Sequence, residues 1–168
     1  MIVAILLASG WVAGAKGEEP SPTPAAAGPV TVGEVAPVKI TTGASSIVHV
    51  PVRVAEGHRV QANPASNDFL VPLKIEIEDC NGLVFGPPVY PEAEPYRLEG
   101  TDEDLSTYVG EFEIVVPVSA TDAAVPGHHS VLGKLHYQAC NRRMCLFPAS
   151  EWVELQIVVS ASEESSKR

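Results

Sequence analysis

Val131-Leu132-Gly133-Lys134-Leu135-His136-Tyr137 and Trp152-Val153-Glu154-Leu155-Gln156-Ile157-Val158-Val159 decide the fold of this chain. In the first, Val131, Gly133, Leu135 and Tyr137 alternate with Leu132, Lys134, His136 and Gln138. In the second, Val153, Leu155, Ile157 and Val159 alternate with Trp152, Glu154, Gln156 and Val158. A period of two is that of a strand with one buried face. Between the two segments lies Gln138-Ala139-Cys140-Asn141-Arg142-Arg143-Met144-Cys145-Leu146-Phe147-Pro148. If the strands pair as a hairpin, Cys140 and Cys145 lie almost opposite each other, where antiparallel Cα separations of roughly 4.5 to 5.5 Å suit a disulfide.

The same alternation recurs outward from this hairpin. Val71, Leu73, Ile75 and Ile77 alternate with Pro72, Lys74, Glu76 and Glu78, and Phe112, Ile114, Val116 and Val118 with Glu111, Glu113, Val115 and Pro117. Val48, Val50, Val52 and Val54 share a face, and Pro51 among them predicts a sheet edge or a bulge, because proline cannot donate to a ladder. Turn residues punctuate the intervals: Gly57, Asn63-Pro64, Asn81-Gly82, Gly86-Pro87-Pro88, Pro91, Pro95, Gly100 and Pro126-Gly127. No stretch keeps a helical period for more than two turns. Short strands at this spacing predict an all-β, immunoglobulin-like antiparallel β-sandwich over residues 30–159.

Outside that domain the composition changes. Ile2 to Ala8 is a short apolar run followed by Ala13-Gly14-Ala15, the small-residue pattern of a cleavage site, so residues 1–15 read as a signal peptide, although no basic residue precedes Ile2. The run is far short of the roughly 20 residues that span a bilayer, so no membrane insertion of the mature domain is expected. Residues 16–29 read as a disordered Pro/Ala-rich linker and 160–168 as a flexible tail. An exported chain meets an oxidising compartment where disulfides persist. With 168 residues the chain can bury one sizeable core. Its formal net charge of -10 argues against nucleic acid, which needs basic surface to release counterions.

The cysteines carry the chemistry. Thiol-disulfide exchange needs a thiolate, an accessible sulfur and a second cysteine to resolve the mixed disulfide. Cys140 and Cys145 meet the last requirement by spacing, and Arg142 and Arg143 between them are cations that would favour the thiolate. Spacing alone leaves the alternative open: a non-catalytic β-sandwich interaction module in which Cys140-Cys145 is a structural disulfide. Cys80, before Asn81-Gly82, reads as a half-buried free thiol at a strand end. His128, His129, His136 and Met144 could join the cysteines around a soft metal, but His136 and Cys140 are about 13 Å apart along a strand, too far for one ion. Asp102-Glu103-Asp104 reads as a solvated loop. There is no nucleophile elbow and no phosphate-cradling glycine loop. No cofactor is expected.

The run Gly57-His58-Arg59-Val60-Gln61-Ala62-Asn63-Pro64-Ala65-Ser66-Asn67-Asp68-Phe69-Leu70-Val71-Pro72-Leu73-Lys74, then Val89-Tyr90-Pro91, then Tyr137 to Cys140 and Cys145 to Pro148, resembles the N-terminal periplasmic domain of the thiol:disulfide interchange protein DsbD. The resemblance spans about Val30 to Val159 and is most specific at the cysteines. It implies a periplasmic or otherwise exported domain. Its pair, Cys140 and Cys145, would take electrons from a membrane-embedded thiol reductase and pass them to thioredoxin-like exported oxidoreductases. It further implies that Cys145 is the partner-linked sulfur and Cys140 the resolver, and that Tyr90 to Tyr96 forms a cap with Tyr90 and Tyr96 as its aromatics. The best-known members have one more residue between the cysteines. This sequence contains neither the transmembrane nor the thioredoxin-like part of full-length relatives, so the reductant is expected on another polypeptide.

Overall fold

Alternating segments become strands because only an extended backbone sends every second side chain to the same side. The computed structural model describes residues 28–162. The expected export signal, most of the linker and most of the tail lie outside them. The strands are β1 (Val30–Val32), β2 (Val38–Thr41), β3 (Ser45–Val54), β4 (Arg59–Gln61), β5 (Lys74–Ile77), β6 (Leu83–Phe85), β7 (Glu94–Arg97), β8 (Asp104–Tyr108), β9 (Glu111–Ala120), β10 (Gly127–Tyr137), β11 (Ala139–Cys140) and β12 (Ala149–Ser160). There is no helix among the described residues.

Two sheets make the sandwich, one in the order β1-β3-β9-β6 and the other β2-β12-β10-β5. Val48, Val50 and Val52 of β3, Ile114, Val116 and Val118 of β9, and Val131, Leu135, Leu155 and Ile157 of β10 and β12 form one buried core between them. These are the residues whose alternation marked the strands. Pairing is antiparallel except at β2, which runs parallel to β12. The first extended segment thus divides: β1 pairs with β3 in one sheet and, after Pro37, β2 joins the other. β12 continues through Ser160, whose carbonyl accepts the Thr42 N–H at 2.9 Å, so the start of the expected tail belongs to the sheet. Pro29, the last linker residue, is likewise held, its carbonyl accepting the Ala55 N–H at 2.8 Å.

Pro51 corrects one expectation. It lies in β3, a strand with neighbours on both sides. The fold tolerates it because β1 ends at Val32, opposite Val52. The Pro51 carbonyl accepts the Gly33 N–H at 2.9 Å, so the proline nitrogen faces the side where the ladder has just stopped. Pro117 repeats the device in β9, its carbonyl accepting the Gly86 N–H at 2.9 Å just beyond β6. A Cβ on Gly33 or Gly86 would lie 3.2 Å from the Cβ of Pro51 or Pro117, so each proline ring is matched by a residue without a side chain.

A third sheet, β11-β4-β8-β7, sits at one end of the sandwich and was not foreseen from the sequence. The chain reaches it from the first sheet, through the turns between β3 and β4 and between β8 and β9, where Gly110 takes φ +65° and its carbonyl accepts the Val54 N–H at 2.8 Å. From the second sheet, the chain passes from β10 through Gln138 into β11. That last transfer places the cysteines.

Candidate functional site

The β10–β12 hairpin closes at Tyr137 opposite Ala149, short of both cysteines. Beyond it the chain changes sheets: Ala139 pairs with Val60 and Cys140 with Arg59, both on β4. Gln138 secures the change. Its backbone carbonyl accepts the Gln61 N–H at 3.0 Å, its Oε1 accepts the Val71 N–H at 2.9 Å, and its Nε2 donates to the Leu146 carbonyl at 3.1 Å. The loop then turns tightly. Asn141 Oδ1 accepts the N–H groups of Arg143 at 2.9 Å and Met144 at 3.0 Å, and the Asn141 N–H donates to the Met144 carbonyl at 2.9 Å. Local side-chain to backbone bonding of this kind is why asparagine favours turns.

Cys140 and Cys145 therefore face each other, as the spacing predicts, but across their own small turn rather than across the long hairpin. They form a disulfide with Cα atoms 3.8 Å apart, closer than the range expected of the long hairpin. The two sulfurs are not equivalent. Cys140 is fully buried, at 0% exposure, whereas Cys145 is partly open. Beside Cys145 the side chains of Met144 and Phe147 are exposed, Phe147 at 93%.

The charges differ from the sequence reading. Arg142, expected to act on the thiols, turns to Glu99, donating from Nε at 2.9 Å with Nη2 at 2.6 Å, while Arg143 is exposed. A guanidinium engaged by a carboxylate in solvent has little field left for a neighbour. The cation on the strand beside Cys140 is Arg59. Its guanidinium lies over the Tyr96 ring, 4.4 Å from the centroid, and 3.6 Å from Glu94 Oε2. Arg59, Tyr96, Arg97, Cys140 and Arg142 line an open cleft of about 790 Å³.

The polar group that touches the sulfurs is one to which the sequence reading assigned no role. Gln61 Nε2 lies 3.0 Å from Cys140 Sγ and 3.7 Å from Cys145 Sγ. Gln61 is fully buried, and its Oε1 has no hydrogen-bond partner among the described residues. A glutamine in a strand next to buried Val60 and Ala62 was the available signal.

Of the two expected cap aromatics, Tyr96, on β7, lies under the Arg59 guanidinium and lines the same cleft as Cys140. Tyr90 does not; it packs against the core, and its hydroxyl accepts the Ile75 N–H at 3.2 Å. Two residues beyond β7, the Glu99 N–H donates to the Arg142 carbonyl at 3.1 Å and ties the chain there to the cysteine turn.

Cys80 is a half-buried free thiol whose Sγ lies 3.9 Å from His129 Nδ1, away from the disulfide pair. His129 Nε2 donates to the Val125 carbonyl at 2.7 Å, and His136 bonds Ser150 and Glu76 on the outer face of the sheet. No group of three or more metal-binding side chains converges among the described residues.

A three-sheet β fold that carries one buried and one open sulfur in a single disulfide at its end defines a class, that of thiol-bearing immunoglobulin-like domains. The family model described as "Thiol:disulfide interchange protein DsbD, N-terminal" matches residues 26–157, and the chain belongs to that family. Family and disulfide together assign it to thiol:disulfide interchange in general terms. Among solved structures, it is similar to the N-terminal periplasmic domain of ScsB from Proteus mirabilis, at 12% identity and a TM-score of 0.49, over 75% of this chain and 44% of that one. This chain thus spans less than half the length of that protein. It is also similar to AggA, the major subunit of aggregative adherence fimbriae type I from Escherichia coli (13% identity, TM-score 0.37, 79% and 95% covered). A third similar structure is the periplasmic chaperone SfaE (14% identity, TM-score 0.33, 77% and 56% covered). No protein of curated function matches the sequence.

Proposed function

We propose that this protein is an exported thiol:disulfide interchange domain that relays electrons through Cys140 and Cys145. A membrane-embedded thiol reductase supplies them, and thioredoxin-like oxidoreductases in the periplasm or an equivalent compartment receive them. The observation that carries the reading is the asymmetry of the disulfide in a member of this family: an incoming thiolate can reach the partly open Cys145, whereas Cys140 has no exposed surface. Attack on a disulfide goes through the sulfur that is accessible, and the other sulfur leaves. Cys145 is then the partner-linked sulfur and Cys140 the resolver. Exposed Met144 and Phe147 beside Cys145 supply apolar surface against which a partner can seat.

The test is a trap. In Cys140→Ser, Cys145 attacks but nothing resolves the product, so a mixed disulfide with an exported thioredoxin-like protein accumulates on a non-reducing gel. Cys145→Ser traps much less. Failure of both variants to trap, with the disulfide potential below roughly -300 mV, is the behaviour of a structural bond.

A further inference from the structure

We propose that Gln61 is a positioning residue for the redox pair: its buried amide stabilises the reduced sulfurs, Cys140 above all, and so favours opening of the disulfide. The inference deepens the interchange reading and rests on it.

Three observations support this. Gln61 is at 0% exposure, and its Nε2 lies 3.0 Å from Cys140 Sγ and 3.7 Å from Cys145 Sγ. Its Oε1 is buried with no partner among the described residues. Cys140 is itself at 0% exposure, beside a strand whose Val60 is fully buried. A disulfide has only weak acceptors to offer and no donor, so the amide can direct N–H at sulfur but its oxygen finds nothing. A buried polar atom left unpaired carries a desolvation penalty in that state. Reduction removes the mismatch. A thiolate at Cys140 accepts strongly from Nε2–H where it stands. A thiol at Cys140 is a donor, which Oε1 meets after a half-turn of the amide.

The step needs such a group. A dithiol's thiolate attacks Cys145 Sγ; the Cys140–Cys145 bond breaks and its electron pair passes to Cys140 Sγ. The second thiolate of the dithiol then attacks its own sulfur in the mixed disulfide and expels Cys145 as thiolate. The dithiol ends as a disulfide, and this chain gains two electrons and, from water, two protons. The first leaving group is therefore a thiolate generated at a fully buried sulfur, where burial raises its pKa and slows departure. Arg142, held by Glu99, is not positioned to offset that. Gln61 is the group in hydrogen-bond contact.

Gln61→Leu keeps the approximate volume and removes both the donor and the orphaned acceptor. Equilibration of the purified protein with dithiothreitol reads the effect without any protein partner, so failure of partner trapping and failure of this proposal are separable. The equilibrium constant for reduction should fall about tenfold, a potential lower by roughly 30 mV for a two-electron couple. In the Cys145→Ser background, alkylation of Cys140 should shift to higher pH on Gln61→Leu, a change that loss of packing alone does not produce. An unchanged equilibrium constant overturns the proposal. If Gln61→Leu does not fold, nitrogen-15 spectra of the wild type decide: the Gln61 side-chain amide should move on reduction while that of Gln156, on β12 and bonded to Glu154, does not, and a stationary Gln61 amide overturns it.

Discussion

At the scale of single residues, the cysteines are placed by glutamines more than by arginines. Gln138 holds three segments together with one side chain and one carbonyl, bonding Val71, Leu146 and Gln61 at the point where the chain leaves β10. Gln138→Leu leaves the Val71 N–H and the Leu146 carbonyl without these partners. The unmade bonds should cost about 1–3 kcal/mol, and Cys140 should react faster with an alkylating agent after reduction. Chemical denaturation and timed alkylation check the two parts; native-like values for both would show that the backbone alone sets the turn. The arginines between the cysteines, by contrast, drew the sequence reading toward thiolate activation, and the structure gives Arg142 a carboxylate instead.

At the scale of elements, short features with strict geometry hold the edges. The Asn81-Gly82 turn joins Cys80 to β6, with Cys80 bridged to Leu83. Gly82 has φ +82°, and a Cβ there would lie 2.3 Å from the Ala124 Cα. Its carbonyl also accepts the Thr121 N–H at 2.8 Å, so the turn cannot simply move away. Gly82→Ala should therefore destabilise the fold by about 2–3 kcal/mol, as overpacking against backbone does, measured by urea unfolding.

β7, which carries Tyr96, is held to β8 partly by Arg97, whose Nε and Nη2 donate to the two Asp104 carboxylate oxygens at 2.8 and 2.9 Å. The Arg97 hydrogen bond keeps the Asp104 carboxyl below its ordinary value of 3.8, against a smaller opposing effect of burial. A carboxyl depressed by folding contributes stability that is present above its unfolded value and lost as pH falls through the folded one. Amide exchange in β7, read by nuclear magnetic resonance and divided by the unfolded-chain rate at the same pH, should accordingly rise as pH drops below about 4. In Asp104→Asn it should be raised already at neutral pH. Exchange in β7 that ignores both changes would assign its order to backbone pairing alone.

At the scale of the whole molecule, the disulfide and the core have separate tasks. The Cys140–Cys145 bond spans a sequence separation of 5, and closing so short a loop restricts the unfolded chain by only about 2 kcal/mol in the chain-entropy account. The core between the two main sheets carries the fold. Reduction should leave a cooperatively folded protein with its β-type circular dichroism spectrum, whereas Ile114→Ala, at a fully buried site in β9, should cost about 2–5 kcal/mol. Equilibrium unfolding of the reduced and variant proteins compares the two directly. A fold that can open its disulfide without unfolding is the physical requirement for repeated exchange. Loss of structure on reduction would return the bond to a structural role.

The sandwich was legible in the sequence because one face of each long strand is buried and burial leaves a period of two; β3, β9, β10 and β12 bury the valines, leucines and isoleucines that their alternation singled out. The facing cysteines were legible too, since a tight turn between strands leaves few other arrangements. Pro51 misled, because whether a proline disrupts a sheet depends on where the neighbouring strand stops, and that is a property of β1. The third sheet was hidden for a similar reason: its strands are only two to five residues long, too short to show a period, and they exist because the segments that follow β3, precede β9 and follow β10 meet there and pair. The buried state of Cys140, the open edge of Cys145 and the contact with Gln61 follow from that meeting. Alternation along a chain records which side of a strand faces the interior, but only tertiary structure brings β4 beside β11, and Gln61 lies 79 residues from the sulfur it touches.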